Sequence, residues 1–225
     1  MHPGIIFDMD GVIIDSEPIH HRAERILLSN YGVTITNEAL HAFAGKDASQ
    51  LLKGFINQYQ LPVEFSSFYQ QHQTNLERVF QTSKIPGTNA IPLIHEIHRR
   101  NIPLALASSS HRKLIQLVLD RLKLSTFFQV IIGGDEVERG KPFPDIYIET
   151  ARRLNKAPGL CIAIEDSKNG VQSAKDAGCF CVGYVNPNSG KQDLRRADKI
   201  IDHFSNINPE DLLEWINPHI SLSFH

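Results

Sequence analysis

Gly4-Ile5-Ile6-Phe7-Asp8-Met9-Asp10-Gly11 is an apolar run that stops at two carboxylates and a glycine. It reads as a buried strand meeting a polar loop, because a short continuous apolar stretch suits a strand covered on both faces. No second strand follows closely. Residues 16–82 carry helical periodicity instead, around 17–31 (Ile19, Ala23, Ile26, Leu27), 47–58 (Leu51, Leu52, Phe55) and 64–80 (Phe65, Phe68, Tyr69, Leu76, Phe80). Breaks fall at Tyr31-Gly32, Ala44-Gly45 and Leu61-Pro62.

After Ile85-Pro86-Gly87 the pattern changes. Apolar runs at 102–107, 130–132, 160–164 and 179–185 alternate with helical stretches near 89–100, 111–122, 144–155 and 168–177. Such alternation predicts a parallel sheet with helices on both faces. The helical block therefore interrupts the alternation just after its first strand, and an insertion is the simpler reading, since two tandem domains would strand residues 4–7 from their sheet. The predicted fold is α/β: a doubly wound, Rossmann-like parallel sheet core (1–14 plus 84–225) with an inserted all-α helical cap (15–83). Asn217-Pro218 reads as a trailing end.

Composition narrows the function classes. The 225 residues carry 23 Lys+Arg against 25 Asp+Glu, a net charge of −2, without the basic excess of a nucleic-acid binder. No apolar run is long enough to span a membrane. The start MHPGIIFDMDG lacks the pattern of a secretory signal, so a cytoplasmic protein is expected. Nothing demands an assembly, and a monomer is expected. Cys161, Cys179 and Cys181 form no C-x-x-C pair and read as reduced structural thiols.

In an open parallel sheet, ligands bind at the carboxyl ends of the strands, near the point where the strand order reverses. Asp8 and Asp10 follow the first apolar run, Ser108 the second, and Glu165 and Asp166 the run at 160–164, while Arg139-Gly140-Lys141-Pro142 follows 130–132. Four acids converging there would repel one another without a cation. Oxygen donors point to a hard divalent ion, and Mg2+ suits carboxylates plus a substrate phosphate. Lys141 and the Ser108 hydroxyl beside it complete a phosphate site suited to phosphoryl transfer. Singly these residues have plainer readings: D-x-D as turn chemistry, a serine of the 108–110 run as a helix cap, Lys141 as a solvated loop residue, and Glu165-Asp166 as a cap of the helix near 168–177 and a complement to its dipole. Their joint register at neighbouring strand ends favours the site.

The motifs resemble those of the haloacid dehalogenase-like hydrolase superfamily. Phe7-Asp8-Met9-Asp10-Gly11-Val12 through Glu17 looks like its first motif, Ala107-Ser108 its second, Gly140-Lys141-Pro142-Phe143-Pro144-Asp145 its third, and Ile164-Glu165-Asp166-Ser167 with Gly170-Val171 and Ala174 its fourth. The likeness is strongest to the helical-cap branch containing sugar-phosphate phosphatases, phosphoglycolate phosphatases and beta-phosphoglucomutase. It implies that Asp8 attacks phosphorus to form an aspartyl-phosphate. Asp10 would then be the acid and base and would lend its backbone carbonyl to Mg2+, beside Asp8, Asp166 and Glu165. Ser108, Ser109 and Lys141 would hold the phosphoryl oxygens, while Glu17, His20, Gly45 and Lys46 of the cap, with Asn169 of the core, would meet the rest of the substrate.

The implied activity is Mg2+-dependent hydrolysis of a small phosphorylated metabolite, with a phosphosugar mutase as the alternative and phosphoglycolate as a further candidate substrate. Family members that are dehalogenases or phosphonoacetaldehyde hydrolases lack the second acid of the first motif, and Asp10 is present here. The mutase's cap arginine, three residues after the position of Gly45, is replaced by Ala48, which weakens a grip on a second phosphate.

Overall fold

The computed structural model describes residues 2–41 and 48–222. Contacts divide the chain into two compact units, Met1–Asp15 with Pro86–His225, and Ser16–Ile85.

The first unit is built on β1 (Gly4–Phe7), where Ile5, Ile6 and Phe7 are fully buried. A strand so apolar must be covered on both faces and paired at both edges, and it is. Ile5 lies opposite Leu104 of β2 (Leu104–Ala107) on one side and Ile162 of β4 (Cys161–Glu165) on the other. With β3 (Val130–Ile132), β5 (Phe180–Tyr184) and β6 (Lys199–Ile201), the strands form a six-stranded, all-parallel sheet in the order β3-β2-β1-β4-β5-β6. The order reverses between β1 and β4, which is the doubly wound arrangement and opens a crevice at their carboxyl ends.

The crossovers run through α5 (Ala90–Arg99), α6 (Arg112–Leu122), α7 (Asp145–Arg153) and α8 (Lys168–Asp176). Ile146, Tyr147 and Ala151 of α7 share one core cluster with Val171 and Ala174 of α8 and with Ile6 and Ala163 of the sheet. Burying each larger apolar side chain of this kind contributes about 1.5–3 kcal/mol. Cys161, Cys179 and Cys181 are buried free thiols in that cluster; burial pushes the Cys161 thiol up to about 12 and raises the other two, so they stay protonated and inert.

Three expectations change. None of the serines 108–110 caps α6; its first N–H, on Arg112, donates to Asp135 Oδ1 at 2.8 Å. The cap of α8 is Ser167 rather than the preceding acids, its hydroxyl accepting from the Gly170 N–H at 3.0 Å. Asn217-Pro218 is not a trailing end but part of α9 (Pro209–Leu222). That helix starts on a reciprocal cap, with Asn208 N–H donating to Asp211 Oδ2 and Asp211 N–H to Asn208 Oδ1, at 2.8 and 3.0 Å.

The second unit is helical: α1 (Glu17–Ser29), α2 (Asn37–His41), α3 (Ala48–Tyr59) and α4 (Phe65–Thr82). Leu27, Leu28, Leu52, Phe55 and Phe68 are fully buried in its core. His72, on α4, is 3% exposed, and neither ring nitrogen has a hydrogen-bond partner among the described residues. Burial, and secondarily His20, pull its imidazole down to about 4. Between the ordinary value of about 6.5 and that depressed one, the unfolded chain binds a proton that the folded chain refuses. Stability therefore falls as pH drops through this window, by up to about 3 kcal/mol. In urea unfolding at pH 7.5 and pH 4, the parent is expected to lose that much more than His72→Leu; equal losses would refute the assignment.

Candidate active site

The crevice between β1 and β4 collects the strand-end residues. The Asp8 N–H donates to the Ile164 carbonyl at 3.0 Å, which continues the ladder by one residue and sets Asp8 beside Glu165 and Asp166. Carboxylate oxygens of Asp8, Glu165 and Asp166 lie within 4.8 Å of one another, and all three residues are buried. Gly11 stands at φ +78°, where glycine is favoured, and any Cβ there would run into the Asp166 carboxylate. Gly170 serves Glu165 in the same way: a Cβ would occupy the space of its carboxylate.

Lys141 enters from the loop after β3, its side chain 6% exposed. Its Nζ lies 2.5 Å from Asp8 Oδ1, 2.5 Å from Glu165 Oε1 and 3.2 Å from the Ala107 carbonyl, so all three ammonium donors are used. Burial opposes its charge, but Asp8 and Glu165 more than offset this and hold it protonated above the ordinary lysine value. The acids Asp8 and Asp166 shift upward as well, which for a carboxyl disfavours the charged form. Burial raises Asp8 well above the usual carboxylate range, opposed by Lys141 and reinforced by Glu165, Asp166 and Asp10. Burial and then Glu165 push Asp166 up to about 7, against the hydrogen bond from Ser189 and the charge of Lys141. Three buried carboxylates facing one lysine leave negative charge uncompensated, and the donors are all oxygen. Such a set fits a hard divalent cation.

Asp10 bonds to the serines that follow β2. Its Oδ2 accepts from Ser110 Oγ at 3.0 Å and from Ser108 Oγ at 3.4 Å, while the Ser108 hydroxyl accepts the Ser110 N–H at 3.1 Å. Asp8, Asp10, Ser108, Lys141, Glu165 and Asp166 thus come together in the first unit. Ser109 is exposed, and its carbonyl packs so close to Gly134 that no Cβ would fit there. Asn169 is half-buried in the first turn of α8. Glu17 and His20 belong to α1 in the helical unit, where Glu17 pairs with His21 at 3.1 Å and the His20 ring meets Phe80 edge-on at 5.9 Å. Gly45 and Lys46 lie outside the described residues.

Two contributors escaped the sequence reading. Tyr147 donates its hydroxyl to Glu165 Oε1 at 2.7 Å, and Lys141 Nζ sits 5.3 Å from its ring centroid. A tyrosine on the buried face of a helix looks like core, and only its hydroxyl distinguishes it. Ser110, rather than Ser109, joins Ser108 in reaching Asp10.

Comparison with known proteins agrees with this geometry. The chain is 32% identical over 174 residues to a phosphorylated carbohydrates phosphatase of Thermotoga maritima, covering 77% of this chain and 81% of that protein. It is 28% identical over 181 residues to a fructose-1-phosphate phosphatase of Escherichia coli, covering 80% and 95%. The fold is similar to that of a beta-phosphoglucomutase from Clostridium difficile, with a TM-score of 0.81 and 25% identity over 98% of this chain and 100% of that one. The haloacid dehalogenase-like hydrolase profile matches residues 5–184, a span that holds every strand-end motif brought together in the crevice, and the chain belongs to that family.

Proposed function

We propose that this chain is a Mg2+-dependent phosphatase of a small phosphorylated sugar or related metabolite, working through an aspartyl-phosphate on Asp8. The observation that carries the reading is the buried contact of Lys141 with both Asp8 and Glu165 inside the carboxylate cluster. A phosphate monoester arrives as an anion, so a carboxylate can attack its phosphorus only where positive charge offsets the repulsion. Asp8, Glu165, Asp166 and the Asp10 backbone carbonyl would hold Mg2+, which supplies that charge on the phosphoryl oxygens.

The chain's own groups do the rest. Asp8 supplies the electron pair that forms the O–P bond as the P–O bond to the sugar breaks. Asp10 delivers a proton to the departing oxygen, and its carboxyl is held for this by Ser108 and Ser110. Lys141 and Ser108 bind the transferred group. Asp10 then takes a proton from the water that attacks the aspartyl-phosphate, returning Asp8 as carboxylate and releasing inorganic phosphate. In the helical unit, Glu17, His20, Gly45 and Lys46 are the candidates to contact the sugar, with Ser109 and Asn169 from the core. Among the described residues no helix is long and apolar enough to cross a membrane. The reading is of a cytoplasmic monomer with no nucleic-acid partner.

The second reading, a phosphomutase, draws on the likeness to the Clostridium difficile enzyme. One experiment separates the two: phosphate release from a panel of sugar phosphates with Mg2+ or with EDTA, beside incubation with beta-glucose 1-phosphate and its 1,6-bisphosphate. Mg2+-dependent phosphate release is expected. Accumulation of glucose 6-phosphate without phosphate release would overturn the phosphatase in favour of the mutase.

A further inference from the structure

The segment between β5 and β6 lies outside the four strand-end motifs, yet its side chains bond to two of them. Asn186 is 7% exposed and donates Nδ2 to the Gly11 carbonyl at 2.9 Å, while its Oδ1 accepts the Asn188 N–H at 2.8 Å. Asn188 Nδ2 reaches Asp15 Oδ2 at 2.7 Å. Ser189 Oγ donates to Asp166 Oδ2 at 2.5 Å. Gln192 locks this turn in place, since its Oε1 accepts the Lys168 N–H at 3.1 Å and its Nε2 donates to the Ser189 carbonyl at 2.9 Å.

A cavity of about 350 Å³, lined by Asp166 with Asn186, Gly190, Gln192, Leu194 and Arg195, adjoins Asp166, so open space lies beside this residue there. Gly11 also lies against Asp166, and its missing Cβ is what lets the backbone approach the carboxylate. The Gly11 carbonyl is held in turn by Asn186, while its N–H donates to the Ile14 carbonyl at 2.8 Å. One short segment therefore sets both the orientation of the Asp166 carboxylate and the backbone against which it rests.

We propose that Ser189 and Asn186 are positioning residues of the carboxylate cluster, and that they tune its affinity for the divalent cation without touching the ion. This rests on the Mg2+ reading given above. A carboxylate free to rotate must be ordered when the ion binds, whereas one already held by a hydroxyl is not, and outer partners of metal ligands typically govern about 10–100-fold in affinity.

The test is calorimetric titration of Mg2+ into the whole chain. Ser189→Ala is expected to weaken binding about tenfold, with Asn186→Ala moving in the same direction. Ser189→Thr, which keeps the hydroxyl, should stay near the parent value. Circular dichroism without Mg2+ should show Ser189→Ala folded like the parent, which a merely structural role combined with lost affinity would not. Equal affinity in the parent and Ser189→Ala overturns the inference while leaving the Mg2+ reading intact, as does Ser189→Thr binding as weakly as the alanine variant. A parent that binds no Mg2+ overturns the cation reading itself, and the inference with it.

Discussion

Asp8→Asn is expected to lower kcat for phosphate release at least about a thousandfold while leaving the protein folded. An amide cannot supply the electron pair that forms the O–P bond, so the loss falls on the chemical step rather than on binding. The fold has no reason to suffer. The amide oxygen can still accept from Lys141 Nζ, now 2.5 Å from Asp8 Oδ1, and one carboxylate leaves a cluster in which burial and neighbouring acids already hold Asp8 above its ordinary range. A raised carboxyl costs stability as pH rises, because the unfolded chain releases its proton first. Asp8→Asn removes that cost, so its melting temperature near pH 8 should equal or exceed that of the parent in the absence of Mg2+. Steady-state phosphate release and thermal melts of the two proteins check both halves. A variant that keeps a tenth of the parent's kcat would remove Asp8 from the role of nucleophile.

The parts of this site that the sequence disclosed are those where chemistry and topology coincide. β1 was legible because Ile5, Ile6 and Phe7 form an unbroken apolar run, and a strand so apolar can only lie between two others. Once the sheet is parallel, its strand ends are where polar residues gather, and Asp8, Ser108, Glu165 and Asp166 each follow such a run. The edge strand β6 gave no such signal, because Lys199 and Ile200 face solvent at the rim of the sheet, and an exposed strand needs no apolar run. The C-terminal helix was hidden by Pro218, which reads as a stop although Asn208 and Asp211 cap a start. Tyr147 was hidden by its ring, which is ordinary core. Which two of three consecutive serines reach Asp10 depends on a turn in which the Ser108 hydroxyl accepts the Ser110 N–H, and composition carries no trace of it. Asn186 and Gly11 stand 175 positions apart, and no local spacing rule links residues that only the closed fold brings together.

Lys141→Ala is expected to damage stability and activity together, and the way the two separate identifies what the lysine does. Its ammonium is buried between Asp8 and Glu165, and removing one partner of a buried ion pair leaves charge uncompensated, at a cost of about 3–5 kcal/mol. The tyrosine hydroxyl on Glu165 remains, so Asp8 loses more than Glu165 does. Without the lysine, folding forces Asp8 to take up a proton, and this becomes harder as pH rises; the deficit should therefore be larger at pH 8 than at pH 5. Mg2+ would replace the missing positive charge, so saturating Mg2+ should stabilise Lys141→Ala more than it stabilises the parent. Activity should not return with stability, because in the proposed mechanism the lysine that binds the transferred phosphoryl group is still missing, and a loss of about a hundredfold or more should persist in saturating Mg2+. Lys141→Arg should restore little of either. The pocket seats a compact ammonium with an acceptor for each of its three N–H bonds, whereas a planar guanidinium is wider and presents its donors as a fork. Urea unfolding at both pH values, with and without Mg2+, read beside phosphate release, measures each of these. A Lys141→Ala protein as stable as the parent at pH 8 without Mg2+ would show that the cluster does not depend on this cation, and the electrostatic account of the site would have to be abandoned.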